Sequence, residues 1–126
     1  MSDLFLLDTH ILIWLNSGDN RITKATLARL READSVIYSA ASAWEIAIKQ
    51  SAGKLQPLQP VSAYARKARI PELPVTTRHA EIAGKLPLHH RDPFDRMLVA
   101  QAIAEDLTLV SADRRLKDYD VQIWVI

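Results

Sequence analysis

Four acids of this 126-residue chain, Asp8, Glu45, Asp95 and Asp113, fall where strands end or helices begin in the pattern of the sequence. Carboxylates gathered in one cleft repel, and each raises its neighbours' pKa unless a cation neutralises them. A hard divalent ion meets that need, since Mg²⁺ or Mn²⁺ prefers carboxylate and water oxygens and usually keeps several waters. The chain has no cysteine, which removes disulfides, thiol nucleophiles and thiolate zinc sites together. An ion held by carboxylates can activate a water and stabilise charge on a phosphodiester during in-line displacement. Hydrolysis of a phosphodiester is therefore the chemistry these residue types point to.

Whether the four acids meet depends on the elements that carry them. The run from His89 to Glu105 predicts a helix with Asp92 as N-cap, Pro93 as its first residue and Asp95 as its third. Phe94, Met97, Leu98, Val99, Ala102 and Ile103 cover most of its circumference, so it should be buried on more than one side. Asp3 to Asp8 reads as a buried first strand, followed by a helix that closes near Gly18. Thr23 caps a second helix to about Ala33, with Ile22 and Leu27 spaced as a hydrophobic staple. Ser35 to Ser39 is a second strand. Ser42-Ala43-Trp44-Glu45 has capping-box spacing and predicts a helix that stops near Gly53.

Pro57 and Pro60 announce another helix, which Pro71 ends, and a short strand follows around Leu73 to Val75. Thr77 caps one more helix before Leu86-Pro87 breaks it. Leu107 to Val110 and Val121 to Ile126 are the last strands, with Ser111-Ala112-Asp113 as the exit from the former. Strands alternating with helices predict an α/β fold, a single three-layer α/β/α domain over residues 1–126 with a central parallel sheet. In such a sheet, helix N-termini and strand C-termini share one edge, the edge where ligands bind. All four acids are predicted there.

Composition narrows the class. Hydrophobic residues make up 48% and charged residues 25%, which excludes a disordered or low-complexity chain. The net charge of +1 excludes a polyanion binder that works through its overall field, so any nucleic-acid contact must be local. The apolar run Leu4 to Leu7 is too short for a signal core or membrane span, and a cytoplasmic protein is expected.

Leu7-Asp8-Thr9, Ser42-Ala43-Trp44-Glu45, His90-Arg91-Asp92-Pro93-Phe94-Asp95-Arg96 and Ser111-Ala112-Asp113 resemble, in order and over nearly the whole chain, the successive acidic motifs of the PIN-domain family. The resemblance is greatest to VapC-type toxins. It implies a Mg²⁺- or Mn²⁺-dependent endoribonuclease acting on RNA, usually dimeric and silenced by a cognate VapB-like antitoxin. By position, Asp8, Glu45 and Asp95 match the family's acidic triad, Asp113 its more variable fourth acid, and Ser111 the small hydroxyl residue that often accompanies it. His10 stands where many relatives have Asn and takes no role from the resemblance. Asp92 lies in the motif as a cap and a candidate support for the ligands.

Each residue also has a plainer role. Glu45 could complete a capping box, Asp92 and Asp95 could serve the helix dipole, Asp8 could cap a helix and Asp113 could close an Asx turn. Arg91, Arg96, Arg114 and Arg115 flank the acids and could grip RNA phosphates, or they could form a solvated surface. Arg66, Lys67 and Arg69 read as an exposed helix face. His89 and His90 are expected in an exposed loop, neither ligands nor an acid–base pair. Trp14, Trp44 and Trp124 are expected in the core, with a dimer or partner surface as the alternative. The rival functions are a non-catalytic PIN-fold interaction module, and a phosphoryl-transfer domain with Asp8 as nucleophile, which lacks a second nearby Asp.

Overall fold

Alternation within the first apolar run divides the molecule into two cores. In β1 (Leu4–Leu7), Phe5 and Leu7 face one apolar cluster and Leu6 the other. Successive strand residues point to opposite faces, so a strand apolar at every position must be covered on both sides. The computed structural model describes residues 3–126 and shows that covering.

The elements follow in the order α1 (Thr9–Ser17), α2 (Lys24–Glu32), β2 (Ser35–Ser39), α3 (Ala40–Ser51), α4 (Val61–Ala68), β3 (Glu72–Leu73), α5 (Thr77–Lys85), α6 (Pro93–Ala104), β4 (Thr108–Ser111) and β5 (Ile123–Val125). A 3₁₀ helix, Arg114–Asp118, precedes β5. The strands form one sheet in the order β3-β2-β1-β4-β5, every neighbouring pair parallel. Leu7 pairs with Tyr38 of β2 and Val110 of β4, so these three strands end level with one another. Their C-terminal ends form a common rim with the starts of α1 and α3, which follow β1 and β2 directly.

The predicted α/β architecture is the one observed, and most boundaries agree within two residues. Gly18 closes α1 in the left-handed region at φ 66°, which a residue with a Cβ rarely adopts. Thr23 caps α2 by accepting from the Thr26 N–H, and Ile22 and Leu27 join the same core cluster. In α6 the five consecutive residues Leu98 to Ala102 are buried, so the helix is covered on more than one side; Ile103, expected within, is 40% exposed. Arg66, Lys67 and Arg69 are exposed as expected.

Two caps differ. The capping box at Ser42 does not form, because α3 begins at Ala40 and Ser39 caps it by accepting from the Ala41 N–H at 3.0 Å. Ser42 is instead wholly buried, its hydroxyl accepting from Thr9 across the α1–α3 contact at 2.9 Å. Helix α5 is capped by Thr76 rather than Thr77, with a reciprocal box completed by a histidine. His79 Nδ1 accepts from the Thr76 N–H at 3.1 Å, which leaves the proton on Nε2, 3.1 Å from Glu105. That network buries His79, a residue whose partners lie too far along the chain to be read locally.

Candidate active site

Asp8 follows the last residue of β1 at the centre of the rim, where the chain turns into α1. It occupies the N-cap position but makes no side-chain cap bond, so helix capping does not explain it. Its side chain is buried, with Oδ2 accepting from Ser111 Oγ at 2.5 Å and Oδ1 without a hydrogen-bond partner. Burial raises the Asp8 pKa above the ordinary carboxylate range, against the pull of the Ser111 hydrogen bond. Ser111, at the end of the adjacent strand, thus orients one oxygen and leaves the other buried without a partner.

Glu45 lies in the second turn of α3, not the first, because that helix starts early. It is buried, and Lys49 one turn on holds its Oε2 at 2.8 Å. Asp113 leaves β4 and caps the 3₁₀ helix by accepting from the Arg115 N–H at 3.0 Å. Its two oxygens also take the Arg115 guanidinium in a fork, at 3.0 and 2.9 Å, and that hydrogen bonding holds its pKa below the usual range.

The acids at the start of α6 are unequal. Asp92 Oδ1 accepts from the backbone N–H groups of Phe94 and Asp95 at 2.8 and 3.1 Å, an N-cap on the exposed surface. Asp95 makes no such bond and projects inward. Its pKa is pushed up to about 7, first by burial and then by the negative charges of Asp8, Asp92, Glu45 and Asp113. Four elements that start far apart in sequence therefore place Asp8, Glu45, Asp95 and Asp113 in one mutual field. Among the described residues, no three His, Cys, Asp or Glu side chains are drawn into a ready ligand set, and Lys49 and Arg115 each hold one of the four carboxylates.

The donors nevertheless suit a hard divalent cation. All are carboxylate oxygens, Asp8 Oδ1 is buried and unpartnered, and Asp95 bears a repulsion that a cation would relieve.

The flanking bases divide. Arg91 and Arg114 are exposed, whereas Arg96, read as either a phosphate grip or a solvated surface, is neither and is committed to the fold. Its Nη1 donates to Pro87 O at 2.9 Å and its Nη2 to Ala83 O and Leu86 O at 2.9 and 3.0 Å. A planar fork that ties the end of α5 and the following loop to α6 has little left to offer a ligand. His90, expected exposed, is buried: its N–H donates to Tyr119 Oη at 3.0 Å and its ring lies against the Tyr119 ring. His89 is exposed as expected. Trp14 and Trp124 pack against the core, but Trp44 is 65% exposed, its ring edge-on to Phe94 beside the acids.

The family model described as PIN domain matches residues 5–122, and the chain belongs to that family. It is 29% identical over 126 residues to Ribonuclease VapC22 of Mycobacterium tuberculosis, covering 94% of this chain and 97% of that one. Its fold is similar to that in the crystal structure of VapBC2 from Rickettsia felis bound to a promoter DNA fragment, with TM-score 0.74, 15% identity and coverage of 96% and 97% of the two chains. It is similar also to that in the DNA-bound VapBC of Salmonella typhimurium, with TM-score 0.72, 18% identity and coverage of 99% and 98%. Among the described residues no helix is long and apolar enough to cross a membrane.

Proposed function

We propose that this chain is a VapC-type endoribonuclease, dependent on Mg²⁺ or Mn²⁺ and neutralised by a VapB-like antitoxin. The observation that carries the reading is the meeting of Asp8, Glu45, Asp95 and Asp113 in one field at the strand ends, with Asp95 held up to about 7. The resemblance to Ribonuclease VapC22 over almost the full length of both chains supports RNA as the substrate. The fold shared with VapBC assemblies supports the antitoxin partner, and a homodimer belongs to the same reading.

Asp8 and Asp95 would hold the ion, with Glu45 and Asp113 completing the acidic rim. When bound, such an ion supplies an activated water and offsets charge on the scissile phosphodiester. Ser111 fixes the Asp8 carboxylate by its hydroxyl, so one oxygen is oriented before any ligand arrives. Asp92 anchors the start of α6 and so sets where Asp95 projects. Asp95 must lose its proton on loading, since a ligating carboxylate is ionised.

A non-catalytic interaction module has no use for a buried, unpartnered Asp8 oxygen beside three further acids, which lowers stability without serving a docking surface. Asp8 as a phosphoryl acceptor is disfavoured by its burial and its bond to Ser111. The test is RNA cleavage by purified protein with Mn²⁺, with EDTA, and in Asp8→Asn and Asp95→Asn. Cleavage that needs the ion and both acids supports the reading; undiminished cleavage in both variants overturns it.

A further inference from the structure

Asp8 and Asp113 line a cleft of about 390 Å³ together with His10, Trp14, Arg114 and Arg115. We propose that this cleft is a subsite for one unpaired nucleobase of an RNA strand, stacked on the exposed His10 ring with the Trp14 ring, tilted 52° to it, as the adjoining wall, while Arg114 holds an adjoining phosphate. The inference rests on the ribonuclease reading above and adds the group that binds beside the scissile bond.

The cleft is of the size that takes small ligands, roughly 300–1,000 Å³. Its aromatic wall is built before a ligand arrives. His10 and Trp14 are four residues apart on α1, so they share a face of that helix, with ring centroids 6.2 Å apart. Trp14 packs against the core, and the Arg21 guanidinium sits 4.5 Å over its ring. Asp19 in turn grips Arg21 in a two-point fork, at 3.0 and 2.9 Å. A ring fixed from behind and from above loses little freedom when a base stacks on it.

The chemistry of the wall selects its ligand. Every base has a π-face, so stacking on aromatic side chains is tolerant of sequence, but only an unpaired base presents that face. The charge beside the wall fits a phosphate. Arg115 is committed to Asp113, whereas Arg114 is exposed and forms no salt bridge among the described residues. Since Asp8 and Asp113 line the same cleft, a base seated there belongs to a nucleotide next to the bond presented to the acids.

The experiment uses the full chain carrying Asp95→Asn, in EDTA, so that binding is read without cleavage or metal. The probe is a fluorescein-labelled, unstructured RNA of about 12 nucleotides, followed by anisotropy. His10→Ala and Trp14→Leu are each expected to weaken binding about tenfold, while Trp14→Phe, which keeps a ring, stays within about threefold. A blunt duplex of the same sequence should bind weakly and equally to every variant. Arg114→Gln should flatten the slope of log affinity against log salt by about 0.7, the value for one phosphate of a single strand. His10 is exposed, so its substitution tests the subsite even if Trp14→Leu fails to fold.

Equal single-strand affinity in the parent and the His10 and Trp14 variants, or no RNA binding at all, overturns the subsite. Cleavage by the unsubstituted protein with Mn²⁺, assayed in parallel, then leaves the ribonuclease reading standing. Conversely, weakened binding in the variants without any cleavage by the unsubstituted protein retains the subsite and overturns that reading.

Discussion

Ser111 donates its hydroxyl hydrogen to Asp8 Oδ2 at 2.5 Å, joining the ends of two neighbouring strands across 103 residues of sequence. The same hydroxyl accepts from the Asp113 N–H at 3.0 Å, so one small side chain orients two of the four acids. Ser111→Ala is expected to raise the Asp8 pKa further and to destabilise the protein by about 1–2 kcal/mol, since a hydrogen bond to a buried carboxylate is lost. RNA cleavage should fall about tenfold, more steeply at low pH. Chemical denaturation and a pH–rate profile check the two effects separately.

Stability of the metal-free protein should fall as pH rises from about 4 to about 7. Asp95 has a folded-state pKa raised from 3.8 to about 7, so over that window the folded state holds a proton that the unfolded chain has released. The stability present below the unfolded value is therefore lost as pH climbs through the folded one, and Asp8, raised by burial, acts in the same direction. With allowance for screening at this partly open rim, the loss due to Asp95 is about 2 kcal/mol. Thermal melts across this range should show the decline in EDTA, and a much smaller one in Asp95→Asn. A flat profile in EDTA contradicts the assignment.

Metal loading should release protons. Because ligating carboxylates are ionised, Mn²⁺ affinity is expected to drop as pH falls below about 7, approaching tenfold per unit. Calorimetric titration in buffers of different ionisation enthalpy measures the protons released. Asp95→Asn should lose both the affinity and the release.

Asp92 and Asp95 should separate cleanly. Asn caps a helix about as well as Asp, so Asp92→Asn should alter stability by less than about 0.5 kcal/mol, whereas Asp92→Ala costs about 1 kcal/mol. Cleavage should survive Asp92→Asn within about tenfold and fall at least 100-fold in Asp95→Asn, the size of loss expected for a group that stabilises the transition state directly. The opposite ranking would mean that the ligand and the cap have been exchanged.

Arg96→Lys should destabilise by roughly 2–3 kcal/mol, because one ammonium cannot serve the carbonyls of Ala83, Leu86 and Pro87 that the planar fork serves together. The expected signature is faster backbone hydrogen exchange at the end of α5 and in the loop that follows. RNA affinity in EDTA should change little.

What could be read beforehand was whatever depends on neighbours in sequence. Asp92 as cap and Asp95 as the inward acid follow from a helix-start pattern four residues long, and the two-sided burial of the sheet follows from unbroken apolar runs. The shared rim follows from topology, which brings Glu45 there whether α3 begins at Ala40 or at Ser42. Ser39, Ser42, Thr76 and Thr77 defeated the cap assignments because adjacent hydroxyl residues offer equivalent local choices, and contacts with Thr9 and His79 decide among them. Burial of His90 and the engagement of Arg96 were illegible for a related reason: their partners, Tyr119 and the carbonyls at the end of α5, are brought near only by the fold. The exposure of Trp44 could not be read from an aromatic residue in an apolar helix.

The sheet order has a consequence for synthesis of the chain. With β1 between β2 and β4, the first acid emerges early but its strand lacks one neighbour until residues near the C-terminus exist. A nascent chain that has produced Asp8 and Glu45 still lacks the α6 that carries Asp95, and the β4 that brings Ser111 and Asp113. Even a fragment that reaches the end of α6 leaves one edge of β1 bare and Asp8 without its Ser111 partner, so the central acid is oriented only once β4 has joined the sheet.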